Sequence, residues 1–191
     1  IRGAGLERRL RRIEGEQGPA VTIDGKRYLL FCSNNYLGLA THPDVVAAAH
    51  AALDRYGASA VSSRLISGHM AVHAELEETL ARWKRVAAAL VFSTGYQANV
   101  GVLTALLGPD DVVLSDELNH ASLIDGLRLA GCRRCVVPHL DLAAYERLLA
   151  EPSPGGRTVV VVESLFSMDG DAAPLAELQG LCERYGALLV V

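Results

Sequence analysis

Lysine is nearly missing from this sequence: of its 18 basic residues, only Lys26 and Lys84 are lysines. Chemistry that needs a lysine amine must use one of these two or draw on residues outside the 191 given. Positive charge is not in excess either. The formal net charge is −4 and the pI about 5.9, which offers no electrostatic footprint for nucleic acid or an anionic membrane. Long hydrophobic runs are absent. The longest, such as 86–92 and 159–162, fall well short of the ~20 residues of a membrane-spanning helix. The opening Ile1-Arg2-Gly3 carries no apolar signal core. Four cysteines (Cys32, Cys132, Cys135, Cys182) make no disulfide framework in a chain of this size. Cys132 and Cys135 form one C-x-x-C with no second pair at zinc spacing. The pair reads as two thiols where a helix turns into a strand, or, with far less support, as a metal or redox motif. The expectation is a cytoplasmic protein with no nucleic-acid or membrane partner and no metal.

What is present can build a core. Half the residues are hydrophobic and 21% are charged, a balance that fits a packed domain and argues against disorder. From residue 43 onward, helical and strand periods alternate. Pro43 suits a first helical position, Val46, Ala49 and Leu53 follow on one stripe, and Gly57 is the stop. Val72, Leu76, Leu80 and Trp83 make the next stripe. Strands are then expected at 90–92, 112–114, 135–137, 158–162 and 188–191. Helices are expected between them at 96–107, 121–130, 142–150 and 175–185. Apolar strands separated by helices predict an α/β fold, a mostly parallel sheet with helices on both faces. Residues 1–42 are expected as an N-terminal segment and 43–191 as the sheet-bearing domain. The last strand runs to the last residue, whereas ligand groups in open α/β sheets sit just beyond the carboxyl ends of strands. With no Met at position 1, the sequence is expected to be part of a longer chain.

Three segments carry candidate chemistry. Residues 90–99 read as a strand, a small polar turn and a helix. Backbone N–H groups around Gly95 and Tyr96 would lie unpaired at the helix start and suit a phosphate. An ordinary turn with Ser93 or Thr94 as N-cap explains the same residues. His120 follows the strand at 112–114, where a helix begins; its ring could stack on an aromatic cofactor, move a proton, or simply cap the helix. The loop after the most apolar strand offers Glu163, Ser164, Ser167 and Asp169, too polar for a core, although Asp169-Gly170 alone would pass as a turn. His69 and His73 stand four apart beside Glu75, Glu77 and Glu78, yet this is not H-E-x-x-H, and a solvated helix face is the better reading.

Five blocks resemble, in order, the α-oxoamine synthase family of pyridoxal-phosphate enzymes. They are 31–39 (FCSNNYLGL), 63–68 with 73–77 (SRLISG, HAELE), 93–99 (STGYQAN), 115–116 with 119–125 (SD, NHASLID) and 166–175 (FSMDGDAAPL). The resemblance implies an aspartate-aminotransferase-like large domain, here incomplete, and pyridoxal 5'-phosphate as cofactor. The implied reaction is decarboxylative condensation of an amino acid with an acyl thioester of CoA or acyl-carrier protein. Blocks 95–99 and 166–175 favour members that join L-alanine to a pimeloyl thioester. Blocks 33–38 and 118–122 also suit members that use glycine and acetyl-CoA. A lysine-less partner subunit of the same family is a further alternative. By resemblance, Gly95 and Tyr96 hold the cofactor phosphate through their amides. His120 stacks over the ring and faces the substrate, and Ser167 bonds near the phenolic oxygen. Asn34 meets the amino-acid carboxylate, and Arg8, in preference to Arg9, meets the acyl substrate. The family also places an Asp directly after the position of Val191 and a Schiff-base lysine further on, and neither Lys26 nor Lys84 lies in a matching motif. A homodimer with its active site at the subunit interface is implied, and the 191 residues alone are expected to be inactive.

Overall fold

Local turn chemistry shapes the first part of the chain and alternation of apolar residues shapes the rest. The structure is a computed structural model and describes residues 3, 7, 9–151, 153 and 155–191. They fall into two compact units, Ile1–Glu75 and Leu76–Val191.

In the first unit, β1 (Ile13–Glu14), β2 (Ala20–Ile23) and β3 (Lys26–Leu29) form an antiparallel sheet in that order. Asp24 and Gly25 join β2 to β3 with φ of 50° and 72°, the left-handed pair of a type I′ hairpin, and Ile23 lies opposite Lys26. A single 3₁₀ turn (Leu39–Thr41) leads to α1 (Pro43–Tyr56). Here the His42 ring accepts the amide of Asp44, and Gly57, at φ 75°, ends the helix by donating to the carbonyl of Leu53. The helix forms where the sequence predicts, yet buries none of its residues. A turn of π-helix (Arg64–Gly68) precedes α2 (Ala71–Lys84), which runs into the second unit. The boundary expected between residues 42 and 43 falls inside the first unit, and the N-terminal segment contains a β-meander.

The second unit continues through α3 (Gly95–Leu106), β4 (Val112–Asp116), α4 (Ala121–Ala130), β5 (Arg133–Val137), α5 (Leu142–Leu149), β6 (Thr158–Val161), α6 (Leu175–Tyr185) and β7 (Leu188–Val190). Its sheet is parallel throughout, in the order β5-β4-β6-β7. Side chains alternate across it with a period of two, and both faces are dry. Val113, Val159 and Val161 turn to one face and pack with Leu103 and Leu107 beside Leu123 and Leu127 of α4. Leu114, Val160 and Val162 turn to the other and pack with Tyr145 and Leu149 beside Leu178, Leu181 and Cys182 of α6. One expected strand is missing: residues 90–92 belong to no strand. Their apolar run has the right composition, but a strand exists only with a hydrogen-bonded neighbour, and the Val91 amide is bonded instead to the Glu77 carboxylate at 2.8 Å.

The order of the strands sets where a ligand can enter. From β4 the chain passes through α4 to β5 on one side, then returns through α5 to β6 on the other. Between β4 and β6 the direction reverses, and the loops leaving their carboxyl ends diverge to leave a crevice.

Candidate functional site

That crevice is a cleft of about 470 Å³, within the roughly 300–1,000 Å³ of small-molecule sites. Gly95, Tyr96 and Asn99 from the start of α3 line it, with His120 and Ser122 from the start of α4, Glu163 beyond β6, and Val190–Val191 at the end of β7.

At α3, Thr94 is the N-cap: its hydroxyl accepts the Gln97 amide at 3.1 Å and its carbonyl accepts Ala98 at 3.1 Å. The amides of Gly95 and Tyr96 have no partner among the described residues in the first turn, where the dipole of a 12-residue helix adds positive potential. A Cβ on Gly95 would meet nothing within 4 Å, so a bulky anion can approach these amides closely. The capping turn and a place for an anion are compatible, since the cap uses the third amide and leaves two. The phenol of Tyr96 donates to Asp125 at 3.1 Å; this bond and the neighbouring charge hold its proton above the ordinary tyrosine range.

His120 caps α4 and also lines the cleft. Its Nδ1 accepts the Ser122 amide at 3.1 Å and so caps α4. The Ser122 hydroxyl lies 2.7 Å from the same nitrogen and accepts Asn99 Nδ2 at 2.8 Å. With Nδ1 accepting the amide, the hydroxyl must donate to it, and the ring's proton resides on Nε2. The His120 amide donates to the Glu163 carboxylate, which ties the start of α4 to the end of β6.

Ser167 lies outside this cleft. It lines an adjoining hollow of about 230 Å³ that shares His120 and Glu163 and includes Asn119, Phe166 and Asp169. Asn119 is 4% exposed; its Nδ2 donates to Ser115 Oγ at 3.0 Å and to the Val161 carbonyl at 2.8 Å, bridging β4 and β6.

The structure therefore gathers Gly95, Tyr96 and His120 in one cleft and sets Ser167 beside it. Asn34 is an exposed residue of the first unit, between β3 and the 3₁₀ turn. Arg8 lies outside the described residues. Asn99 and Ser122, which orient His120, stand inside blocks quoted above, but nothing local in the sequence marks them as partners. The other candidates are engaged locally: His73 Nδ1 accepts the Met70 amide at 3.1 Å, and His69 pairs with Arg64. Cys132 and Cys135 are free thiols, and Cys132, pushed up by burial, donates to the Leu127 carbonyl. Among the described residues no helix is long and apolar enough to cross a membrane.

A family model described as aminotransferase class I and II matches residues 26–191. The 8-amino-7-oxononanoate synthase of Geobacter metallireducens is 52% identical over 191 residues, covering all of this chain and 49% of that protein. The enzyme of the same name from Geobacter sulfurreducens is 53% identical with the same coverage. The chain thus spans about half the length of the curated relatives it matches. Among solved structures, serine palmitoyltransferase from S. paucimobilis with bound PLP-myriocin aldimine superposes with a TM-score of 0.89 at 32% identity, covering 94% of this chain and 46% of that one.

Proposed function

This chain belongs to the aminotransferase class I and II family, and from that premise we propose that its cleft holds pyridoxal 5'-phosphate. The reaction we assign is condensation of L-alanine with a pimeloyl thioester, carried by CoA or acyl-carrier protein, with loss of CO2. The product would be 8-amino-7-oxononanoate, for biotin. A cytoplasmic homodimer is part of the same proposal. The relatives' shared name supports the product, and the solved neighbour that carries PLP supports the cofactor.

One observation carries the cofactor reading: the two unpartnered amides of Gly95 and Tyr96 open onto the cleft that His120 also lines. A doubly charged phosphate fits those amides, and a flat ring fits beside a flat imidazole whose orientation Ser122 and Asn99 fix. The chemistry such a cofactor supplies when bound is an electron sink for the pair left at an amino acid's Cα. The chain's own share is to fix that ring against rotation, with the Nε2 proton of His120 available to the substrate side. Ser167 would reach the ring's phenolic oxygen from the adjoining hollow. Asn34 for the amino-acid carboxylate and Arg8 for the acyl substrate rest on the family resemblance alone. No lysine lines the cleft among the described residues, so the 191 residues alone should not turn over.

Replacing Gly95 by proline tests the cradle. Thr94 already has φ −146° and ψ 153°, the extended conformation a residue before proline requires, and proline is favoured at a first helical position. The substitution deletes one amide donor and little else. In full-length protein, the Kd for pyridoxal phosphate by equilibrium dialysis should rise about tenfold, the scale of one hydrogen bond to a charged group. The melting temperature should hold or rise slightly. Unchanged affinity would remove the phosphate from α3. Turnover of L-alanine with a pimeloyl thioester, set against glycine with acetyl-CoA, decides the substrate pair.

A further inference from the structure

Behind the cleft, the carboxyl ends of β4, β5 and β6 are joined through one imidazole that the proposed reaction does not use. His139 follows β5 in the turn 138–141, and its side chain is only 18% exposed. Its Nδ1 lies 2.9 Å from Oδ1 of Asp116, whose side chain is completely buried at the end of β4. A buried carboxylate can only accept, so Nδ1 carries a proton. The same carboxylate also accepts the amides of Leu118 and Leu140, each at 2.9 Å. The bond to Leu140 holds that residue at φ 54°, a left-handed conformation that leucine adopts only when its surroundings fix it. On the other side of the ring, Nε2 lies 3.4 Å from the carboxylate of Asp171, and the ring meets Phe166 edge-on with centroids 4.6 Å apart. The Glu117 carboxylate accepts the His139 amide at 2.9 Å.

Phe166 and Asp171 are the two sides of the loop that carries Ser167. The Phe166 amide donates to the Asp171 carbonyl at 2.9 Å, and the Gly170 amide to the Phe166 carbonyl at 2.8 Å. Met168 at the tip is 92% exposed, so little besides these contacts anchors the tip. Leu118, fixed by Asp116, stands two residues before His120. One ring thus touches Asp116, whose carboxylate also fixes the turn that leads to His120, and both sides of the loop that presents Ser167.

We propose that His139, seated between Asp116 and Asp171, is a positioning residue that locks the 163–174 loop onto the end of β4 and so sets Ser167 and His120 for the cofactor. Its consequence for cofactor binding rests on the function proposed above; its consequence for the loop does not. The hydrogen bond the ring donates to Asp116 and the charges of Asp116 and Asp171 raise the imidazole's pKa over the opposing effect of burial. The sign follows: a raised folded pKa gives the lock its full strength below the ordinary histidine range, and the lock is lost as pH climbs through the raised value. The acidic groups that face the ring are Asp116, Glu117 and Asp171.

The test uses full-length protein without cofactor, then with it. Asp171→Asn removes one charge from a half-exposed position and will fold. His139→Asn keeps a donor for Asp116 but cannot reach Asp171. Both should speed hydrogen exchange of the Phe166 and Gly170 amides by about three- to tenfold, the scale of one partly buried ion pair, with β4 and β6 unchanged. In the parent protein the same two amides should lose protection as the His139 ring titrates, read by NMR, and in Asp171→Asn that dependence should flatten. The Kd for pyridoxal phosphate should rise in parallel. Unaltered exchange in both variants would overturn the lock. Faster exchange with unchanged cofactor affinity would overturn positioning while leaving the cofactor reading intact. If the parent protein binds no pyridoxal phosphate, the proposed function falls, and the exchange comparison alone decides whether His139 holds the loop.

Discussion

Tyr145 shows what a single side chain costs when its polar atom finds no partner. It is completely buried among Leu149, Leu178 and Cys182, and its hydroxyl has no hydrogen bond among the described residues. Burial pushes the phenol well above its usual range, and the charge of Asp116 adds to the effect. An unmet buried hydroxyl costs about 1–3 kcal/mol, so Tyr145→Phe should leave stability unchanged or raise it by about 1 kcal/mol, measured from urea midpoints. A clear loss would mean that the hydroxyl bonds a buried water. The sequence predicts a helix over 142–150 around Tyr145 and cannot mark its hydroxyl as stranded. The same limit holds in the cleft. The places of Gly95 and Tyr96 at the start of α3, and of His120 at the start of α4, were legible from small polar turns set between an apolar run and a helical stripe, although the run at 90–92 forms no strand. The Asn99–Ser122 and Asp116–His139 contacts join residues 23 positions apart, and no periodicity records which residues the fold will bring together.

At the scale of elements, the legible features are those settled locally. α4 and α6 have the bounds that their apolar stripes predict, and each ends on a left-handed glycine, Gly131 at φ 70° and Gly186 at φ 66°. The β2–β3 hairpin carries an Asp24-Gly25 type I′ signature, but Lys26 and Arg27 begin β3, so the apolar alternation that would mark a strand is weak on that side. Residues 90–92 fail in the opposite sense: local composition is strand-like, and pairing is a property of two segments. Helix against helix, α3 and α4 approach closely enough that a Cβ on Gly126 would lie 2.9 Å from Leu103 Cδ1 and 3.2 Å from the Asn99 carbonyl. Gly126→Ala should therefore part the two helices that supply the Gly95 and Tyr96 amides and His120. The expected loss is about 1–3 kcal/mol of stability in thermal melts, the range for overpacking a core. The Kd for pyridoxal phosphate should also rise, because the Asn99–Ser122 bond spans the same seam. Full stability with weakened binding would show that α4 moves without strain.

Across the second unit as a whole, the two ends of the sheet have different tasks. The carboxyl end holds the cleft, the strained Leu140 and the buried Asp116. The amino end is closed by Asp111, which accepts the Gly108 amide at 2.9 Å and the Arg157 amide at 2.9 Å and pairs with the Arg157 guanidinium at 3.0 Å, while Arg157 also reaches the Leu106 carbonyl. These contacts fasten the end of α3 to the starts of β4 and β6. Hydrogen bonds from the Arg157 side chain and amide, then from the Gly108 amide, hold the Asp111 carboxyl down to about 2. A depressed folded pKa contributes stability that is present above the ordinary aspartate range and lost as pH falls through the folded value. The window is therefore about pH 4 down to about 2. Arg157→Met should lower the melting temperature at pH 6. The gap from the parent protein should narrow below about pH 4 and close near pH 2, since protonated Asp111 gains little from a guanidinium. Cofactor affinity at pH 7 should stay the same, because the substitution lies at the opposite end of the sheet from Gly95 and His120. A gap that stayed constant down to pH 2 would show that Arg157 acts through packing rather than through the Asp111 charge, and a loss of cofactor affinity would show that the two ends are coupled.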